Sequence, residues 1–222
     1  MSDASQHLGP SGVMDSDHPA IQSLALRLAG GARDPGEIAR SLFEHVRDRI
    51  AYSVLVPFHA REQYLASQTL SRGMGYCVQK AVLLATLARA AGIPARLAFA
   101  DIRNRRASLQ LVAEMGTDLF VYHSYPVLHL GGRWVSVAPT FDRRTCEAHG
   151  FPLVSFDGSN DALLPAEDPQ GRPFVEYVAH HGICDDVPMD DLMGAWRRAY
   201  GDERVEAWIR ACDDLEKTRA TP

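Results

Sequence analysis

The chain has 222 residues, 46% hydrophobic and 23% charged, with a formal net charge of −5 and a pI near 6.0. That length suits roughly one core of an ordinary globule, and the absence of a basic excess argues against a nucleic-acid or anionic-membrane surface, Arg103, Arg105 and Arg106 being too short a cluster to reverse it. No apolar run approaches the roughly 18 residues that span a bilayer, and Cys77, Cys146, Cys184 and Cys212 lack the paired spacing of a zinc site or a disulfide frame, which suits reduced thiols.

Residues 1–17, rich in Ser, Asp and Gly and without a charged segment followed by an apolar one, read as a disordered tail of a cytoplasmic protein. Residues 18–222 read as a single domain, since no linker interrupts them. Asp17-His-Pro19 caps a first helix through about Ala29, with Ile21, Leu24, Ala25 and Leu28 on one face and Gly30-Gly31 ending it. Asp34-Pro-Gly-Glu37 has the form of a capping box, and the helix behind it carries a core stripe of Ile38, Leu42, Val46 and Ile50. Residues 51–58 read as extended, and residues 60–72 as a helical turn and loop.

Cys77 stands where a glycine-flanked loop (Gly73, Gly75) becomes a helix with Ala81, Val82, Leu84, Ala85, Leu87 and Ala88 as its stripe, stopped by Gly92 and Pro94. A thiol at a helix start meets unpaired N–H groups and the positive dipole end, which lower its pKa and can hold an oxyanion. A cysteine there also serves commonly as a small buried hydrophobe, so position alone leaves its role open.

Residues 95–102 alternate as a strand, putting Leu97, Phe99 and Asp101 on one face, where an acid needs a partner or a task. Residues 103–118 form a long loop with a helical segment around Leu109, Leu111, Val112 and Met115, long enough to cover a site. Residues 119–130 and 133–139, joined by Gly131-Gly132, read as a hairpin with His123, Tyr125, Val127 and His129 sharing a face; Pro126 points to an edge or a bulge. Residues 141–150 form a short helix, 151–168 are loop-rich, and 190–217 are helical with Trp196, Tyr200, Val205, Trp208, Ile209 and Cys212 inward. His129 reads as a surface position. His180-His181 with Cys184, Asp185 and Asp186 has metal-ligand types but no fixing pattern, and reads as a polar loop.

The run from Gly75-Tyr-Cys77 through Ala90-Ala-Gly-Ile-Pro-Ala-Arg96, then His123, then Gly132-Arg-Trp-Val-Ser-Val-Ala-Pro-Thr140, resembles the core of the transglutaminase-like superfamily. Leu42 to Tyr52 is similar to that family's approach segment, so the likeness covers residues 36–142, with 143–222 a helical and loop extension. The resemblance implies a papain-like α+β fold, a Cys-bearing helix packed on an antiparallel sheet with helical additions at both ends, and a Cys–His–Asp triad. One position departs: Ala138 stands where the family usually has its aspartate. Either Asp142 moves in or Asp101 supplies the acid, and the strand placement favours Asp101.

The order Cys77, Asp101, His123 resembles the Dieckmann cyclases that release tetramic acids and pyridones from carrier proteins of polyketide and peptide assembly lines. The resemblance implies that Cys77 takes an acyl group from a thioester on an acyl or peptidyl carrier protein, and that His123, oriented by Asp101, removes an acidic proton. The resulting carbanion then closes the ring, with no metal or organic cofactor. The broader superfamily implies amide hydrolysis or transamidation instead, and the missing aspartate at Ala138 leaves open a lapsed fold used for binding.

Overall fold

The computed structural model describes residues 4–220, with side chains described through residue 218. Two helices come first, α1 (Pro19–Ala29) and α2 (Pro35–Arg49). The His18 Nδ1 accepts the Ala20 N–H at the start of α1, and the Asp34 carboxylate accepts the Glu37 N–H at the start of α2, so both caps lie where the sequence puts them. The extended run pairs over two residues only: β1 (Ala51–Tyr52) lies parallel to β2 (Met74–Gly75), with α3 (Ala66–Arg72) between them.

Helix α4 (Cys77–Ala90) is buried around its whole circumference from Val78 to Arg89, not only along the expected stripe. Helices α1, α2 and α3 cover one side and the main sheet the other. Its polar side chains are therefore paired inside the protein. Gln79 Nε2 donates to the carbonyls of Pro57 (2.8 Å) and Gln63 (3.0 Å), and Lys80 Nζ donates to those of Ile50 (2.6 Å) and Arg47 (3.0 Å), at the end of α2. Arg89 donates to the carbonyls of Ala95 and Gly9.

That last contact corrects one expectation. Residues 4–17 are packed rather than disordered: Met14 is fully buried, Val13 nearly so, and the His7 ring meets Trp134 edge-on at 5.6 Å. A buried guanidinium needs acceptors, and this segment supplies the Gly9 carbonyl and the Ser11 hydroxyl. Residues 1–3 of the expected tail lie outside the described residues.

The sheet contains β3 (Ala95–Asn104), β4 (Leu119–Leu130), β5 (Arg133–Ser136) and β6 (Val175–Cys184) in the order β5-β4-β3-β6, every neighbouring pair antiparallel. Helix α5 (Leu109–Met115) bridges β3 and β4, α6 (Arg143–His149) follows β5, and α7 (Met189–Tyr200) and α8 (Asp202–Ala220) close the chain. The fold is α+β, with the Cys-bearing helix on an antiparallel sheet. One cluster of buried apolar side chains runs from Val13 to Cys212, and a second fills the opposite sheet face around Tyr125, Ala138, Phe141 and Phe174.

Two strand readings change. His180 and His181 lie on β6, an edge strand whose wet outer face and His-His-Gly sequence imitate a loop. Pro126 sits in an interior strand. The Val137 N–H donates to its carbonyl from just past the end of β5, so the missing proline N–H faces the side where the ladder has run out.

Candidate active site

The backbone leading to Cys77 is held on three sides. The Ala51 and Ser53 N–H groups donate to the Gly73 and Gly75 carbonyls. At Gly75 any Cβ would meet Gln79 Cβ at 3.0 Å, so glycine lets the loop lie against α4. The Tyr76 hydroxyl is 2.6 Å from that of Tyr64, which donates to the Phe58 carbonyl. Cys77 thus opens α4 in a fixed place, and its sulfur meets the N–H groups of Ser124 and Val78.

The Ser124 N–H is free for that contact because of strand parity. Alternate residues of a strand direct their N–H groups to the same side, so Ser124 faces the side of Pro126 where β5 has ended. The expected lowering of the thiol pKa does not occur. Burial pushes Cys77 up to about 11, and the N–H groups offset only part of that. Those N–H groups remain suited to hold an oxyanion once the sulfur is acylated.

His123 is 2% exposed, its ring beside those of Tyr125 and Tyr177, and its Nε2 has no hydrogen-bond partner. Burial pulls its pKa down to about 3, so the imidazole is neutral. Cys77 and His123 line the same two cavities, and no hydrogen bond among the described residues joins them.

The expected acid lies elsewhere. Asp101 Oδ1 is 2.7 Å from His181 Nε2 and accepts the Tyr122 N–H at 3.0 Å, and no hydrogen bond or ion pair among the described residues joins Asp101 to His123. A register shift opposite Tyr122 turns this part of β3 toward β6. Tyr122 has φ +57°, a strained value for an aromatic residue, and stacks on the His181 ring at 4.3 Å. Asp101 therefore anchors the backbone immediately before His123.

Asp142 is also engaged. It caps α6 through the Thr145 N–H and accepts the Tyr52 N–H at 2.7 Å. Against the cost of burial, these N–H groups and the Thr145 hydroxyl, with nearby Lys80, hold its carboxyl below the usual range. Lys80 and Asp142 together brace residues 50–52, and Tyr52 lines both cavities. Ala138 is buried in the layer with Phe141 and offers His123 no charge.

One cavity, about 150 Å³, has Phe58, Tyr76, Trp196, Tyr200 and Trp208 among its walls. The other, about 280 Å³, reaches Asn104, Ser108, Thr140 and His149. The sequence pattern marked Trp196, Tyr200 and Trp208 as the inner face of terminal helices; periodicity cannot tell a core face from a cavity wall. Phe58 gave no functional signal, and Tyr177 fell on the unrecognised β6. His129 packs against Trp134 at 5.1 Å, away from Cys77. Among the described residues no group of three or more His, Cys, Asp or Glu is placed to hold a metal ion: His181 is taken by Asp101, and Asp185 and Asp186 by Arg96 and Arg61.

Among known proteins, the family model of the transglutaminase-like superfamily matches residues 22–139. A search of curated proteins gives no match. Among solved structures the chain is similar to a candidate cysteine protease from Cytophaga hutchinsonii, at 20% identity and a TM-score of 0.49, covering 82% of this chain and 55% of that one. It is also similar to the periplasmic domain of TgpA from Pseudomonas aeruginosa bound to ethylmercury, at 20% identity and a TM-score of 0.41, covering 61% and 48%. The chain spans about half the length of these structures. No helix among the described residues is long and apolar enough to cross a membrane. The family match takes in more than half of the chain, including the Cys-bearing helix and the strand of His123, and the chain belongs to the transglutaminase-like superfamily, with a fold of cysteine-based hydrolases and transferases.

Proposed function

We propose that the protein is a thiol acyltransferase acting on a thioester, in its sharpest form a Dieckmann cyclase that releases a tetramic acid or similar ring from an acyl or peptidyl carrier protein. The observation that carries this reading is that Cys77 and His123 line the same two largely apolar cavities, where burial pushes the thiol pKa up and the imidazole pKa down and so favours the uncharged form of each. Amide cleavage favours a preformed thiolate and an imidazolium to protonate a poor leaving group. A neutral thiol beside a neutral imidazole suits a thioester, whose leaving thiolate needs less help.

In the first step the Cys77 sulfur attacks the donor carbonyl as His123 takes the thiol proton, and N–H groups at the start of α4 hold the oxyanion. The carrier thiolate leaves and regains that proton from His123. In the second step neutral His123 removes the proton lying between two carbonyls of the bound acyl group. The carbanion attacks the Cys77 thioester, the ring closes, and the Cys77 thiolate takes the proton back from the imidazolium. Asp101 orients His123 indirectly, through the Tyr122 N–H, and Ala138 in the usual acid's place sets this site apart from a Cys–His–Asp triad.

The test is intact-protein mass spectrometry with an N-acetylcysteamine thioester of an amino acid whose nitrogen carries a 3-ketoacyl group. The expected result is an adduct on Cys77 and release of a ring product lacking the elements of the thiol. Release of the free acid instead marks a hydrolase. If no adduct forms, or if Cys77→Ala forms the same one, the thioester reading is dead and a lapsed binding module is the better account.

A further inference from the structure

We infer that the 150 Å³ chamber beside Cys77 is the binding site for an apolar group of roughly six carbons carried by the acyl donor, and that α7 and α8 set its length. This rests on the acyl-transfer reading and narrows its substrate class. The polar tips of three of the aromatic walls are engaged within the protein. The Tyr76 hydroxyl bonds that of Tyr64, the Tyr200 hydroxyl bonds the Val121 N–H and the Leu119 carbonyl, and Trp196 Nε1 donates to the Val121 carbonyl. With those groups occupied, the faces turned to the chamber offer little but apolar surface, and Glu114 is the one charged residue among its walls.

Such a lining discriminates against glutamine side chains and peptide backbones, whose amides would lose water without finding partners. An apolar cavity of about 150 Å³ takes a benzene-sized guest. Val54 and Leu55 line both cavities and are 46% and 54% exposed, large apolar surfaces on the way to Cys77. Trp196, Tyr200 and Trp208 lie beyond residue 139, where the family match ends. The residues that set this selectivity therefore lie outside the part of the chain that the family match covers.

The experiment measures acylation of Cys77 by straight-chain acyl N-acetylcysteamine thioesters from acetyl to dodecanoyl, read by intact mass. A buried methylene is worth roughly fourfold in binding, so the four added from acetyl to hexanoyl raise kcat/KM by up to about 250-fold, and it falls again for the longest chains. Trp208→Ala moves the optimum to longer chains, and Ala211→Trp, at an exposed position on the chamber wall, lowers the hexanoyl rate more than the acetyl rate. A rate that ignores chain length, or falls steadily from acetyl, overturns the chamber assignment while leaving Cys77 acylation intact. Titration calorimetry with ethylbenzene reads the chamber without chemistry: saturable binding weakened in Ala211→Trp supports it even if no thioester reacts, and absence of binding overturns it.

Discussion

Two regions meet at Cys77 and are built on different principles. Helix α4, β3 and β4 bury themselves against one another, and their polar groups are tied down by carbonyls and N–H groups of neighbouring elements. Helices α7 and α8 are laid over that core with one face inward, and they reach the cavity through aromatic rings. The first region fixes where a thiol and an imidazole stand. The second decides which molecule reaches them, and it is tied to the first where Tyr200 and Trp196 bond the backbone of Leu119 and Val121.

The sharpest way to break this division is to remove the reacting groups. Cys77→Ala abolishes acyl-enzyme formation outright. His123→Ala lowers the acylation rate by about 10²- to 10⁴-fold, the usual contribution of a positioned base, as measured by adduct formation against time. His123→Ala leaves the chain-length preference of its residual rate unchanged, because that preference belongs to the other region. A His123→Ala protein that acylates as fast as wild type breaks the division at its centre.

A second test compares stability. Lys80→Met keeps volume but leaves the Arg47 and Ile50 carbonyls without a donor and Asp142 without its nearby cation, a loss of about 2–4 kcal/mol. Trp208→Ala, at a half-buried position, costs less. Denaturant midpoints at fixed slope rank the two, and the reverse order shows that the covering helices belong to the stability core.

Protonation of His123 offers a third. Its folded pKa of about 3 lies below its ordinary 6.5, so between these values the unfolded chain binds more protons than the native one. Stability from this group is complete above about pH 6.5 and is lost as pH falls toward 3. The slope approaches about 1.4 kcal/mol per pH unit. Unfolding curves from pH 6.5 to 5.5, above the range in which carboxylates titrate, show it, and most of the slope disappears in His123→Leu. At the other end, Cys77 alkylation by iodoacetamide, followed by peptide mapping, keeps rising toward pH 11 rather than levelling near 8.5 as a free thiol does. A plateau near 8.5 means that the sulfur meets solvent.

The same division separates what could be read from the chain alone. Caps at Asp34 and Gly92, the stripe of α2 and the glycine turn of the hairpin are local signals, and each specifies its element without help from distant residues. Cys77 and His123 were legible because their elements are. The rest depends on long-range choices. Strand β6 reads as a loop until β3 is there to pair with it, the segment around Met14 reads as a tail until buried Arg89 needs its Gly9 carbonyl and Ser11 hydroxyl, and the direction of Asp101 is settled by a register shift that no periodicity announces.

Asp101 acts on His123 at one remove, through the backbone of Tyr122, and the effect expected there is the smallest. If its carboxylate oriented His123 directly, the charge would matter, and Asp101→Asn would cost on the order of 10⁴ in rate, as loss of the acid does in a serine triad. In this structure Oδ1 is the atom that accepts the Tyr122 N–H and meets His181. Asparagine keeps an oxygen for that N–H, whereas alanine releases Tyr122 from φ +57° and frees the backbone before His123. Asp101→Asn therefore loses only a few-fold in kcat/KM for acylation, and Asp101→Ala loses more, through kcat rather than KM. His181→Phe, which keeps a ring to stack on Tyr122, behaves like Asp101→Asn. An Asp101→Asn protein as impaired as His123→Ala would return the carboxylate to a direct contact with the base, reached by a movement of β3 once substrate is bound.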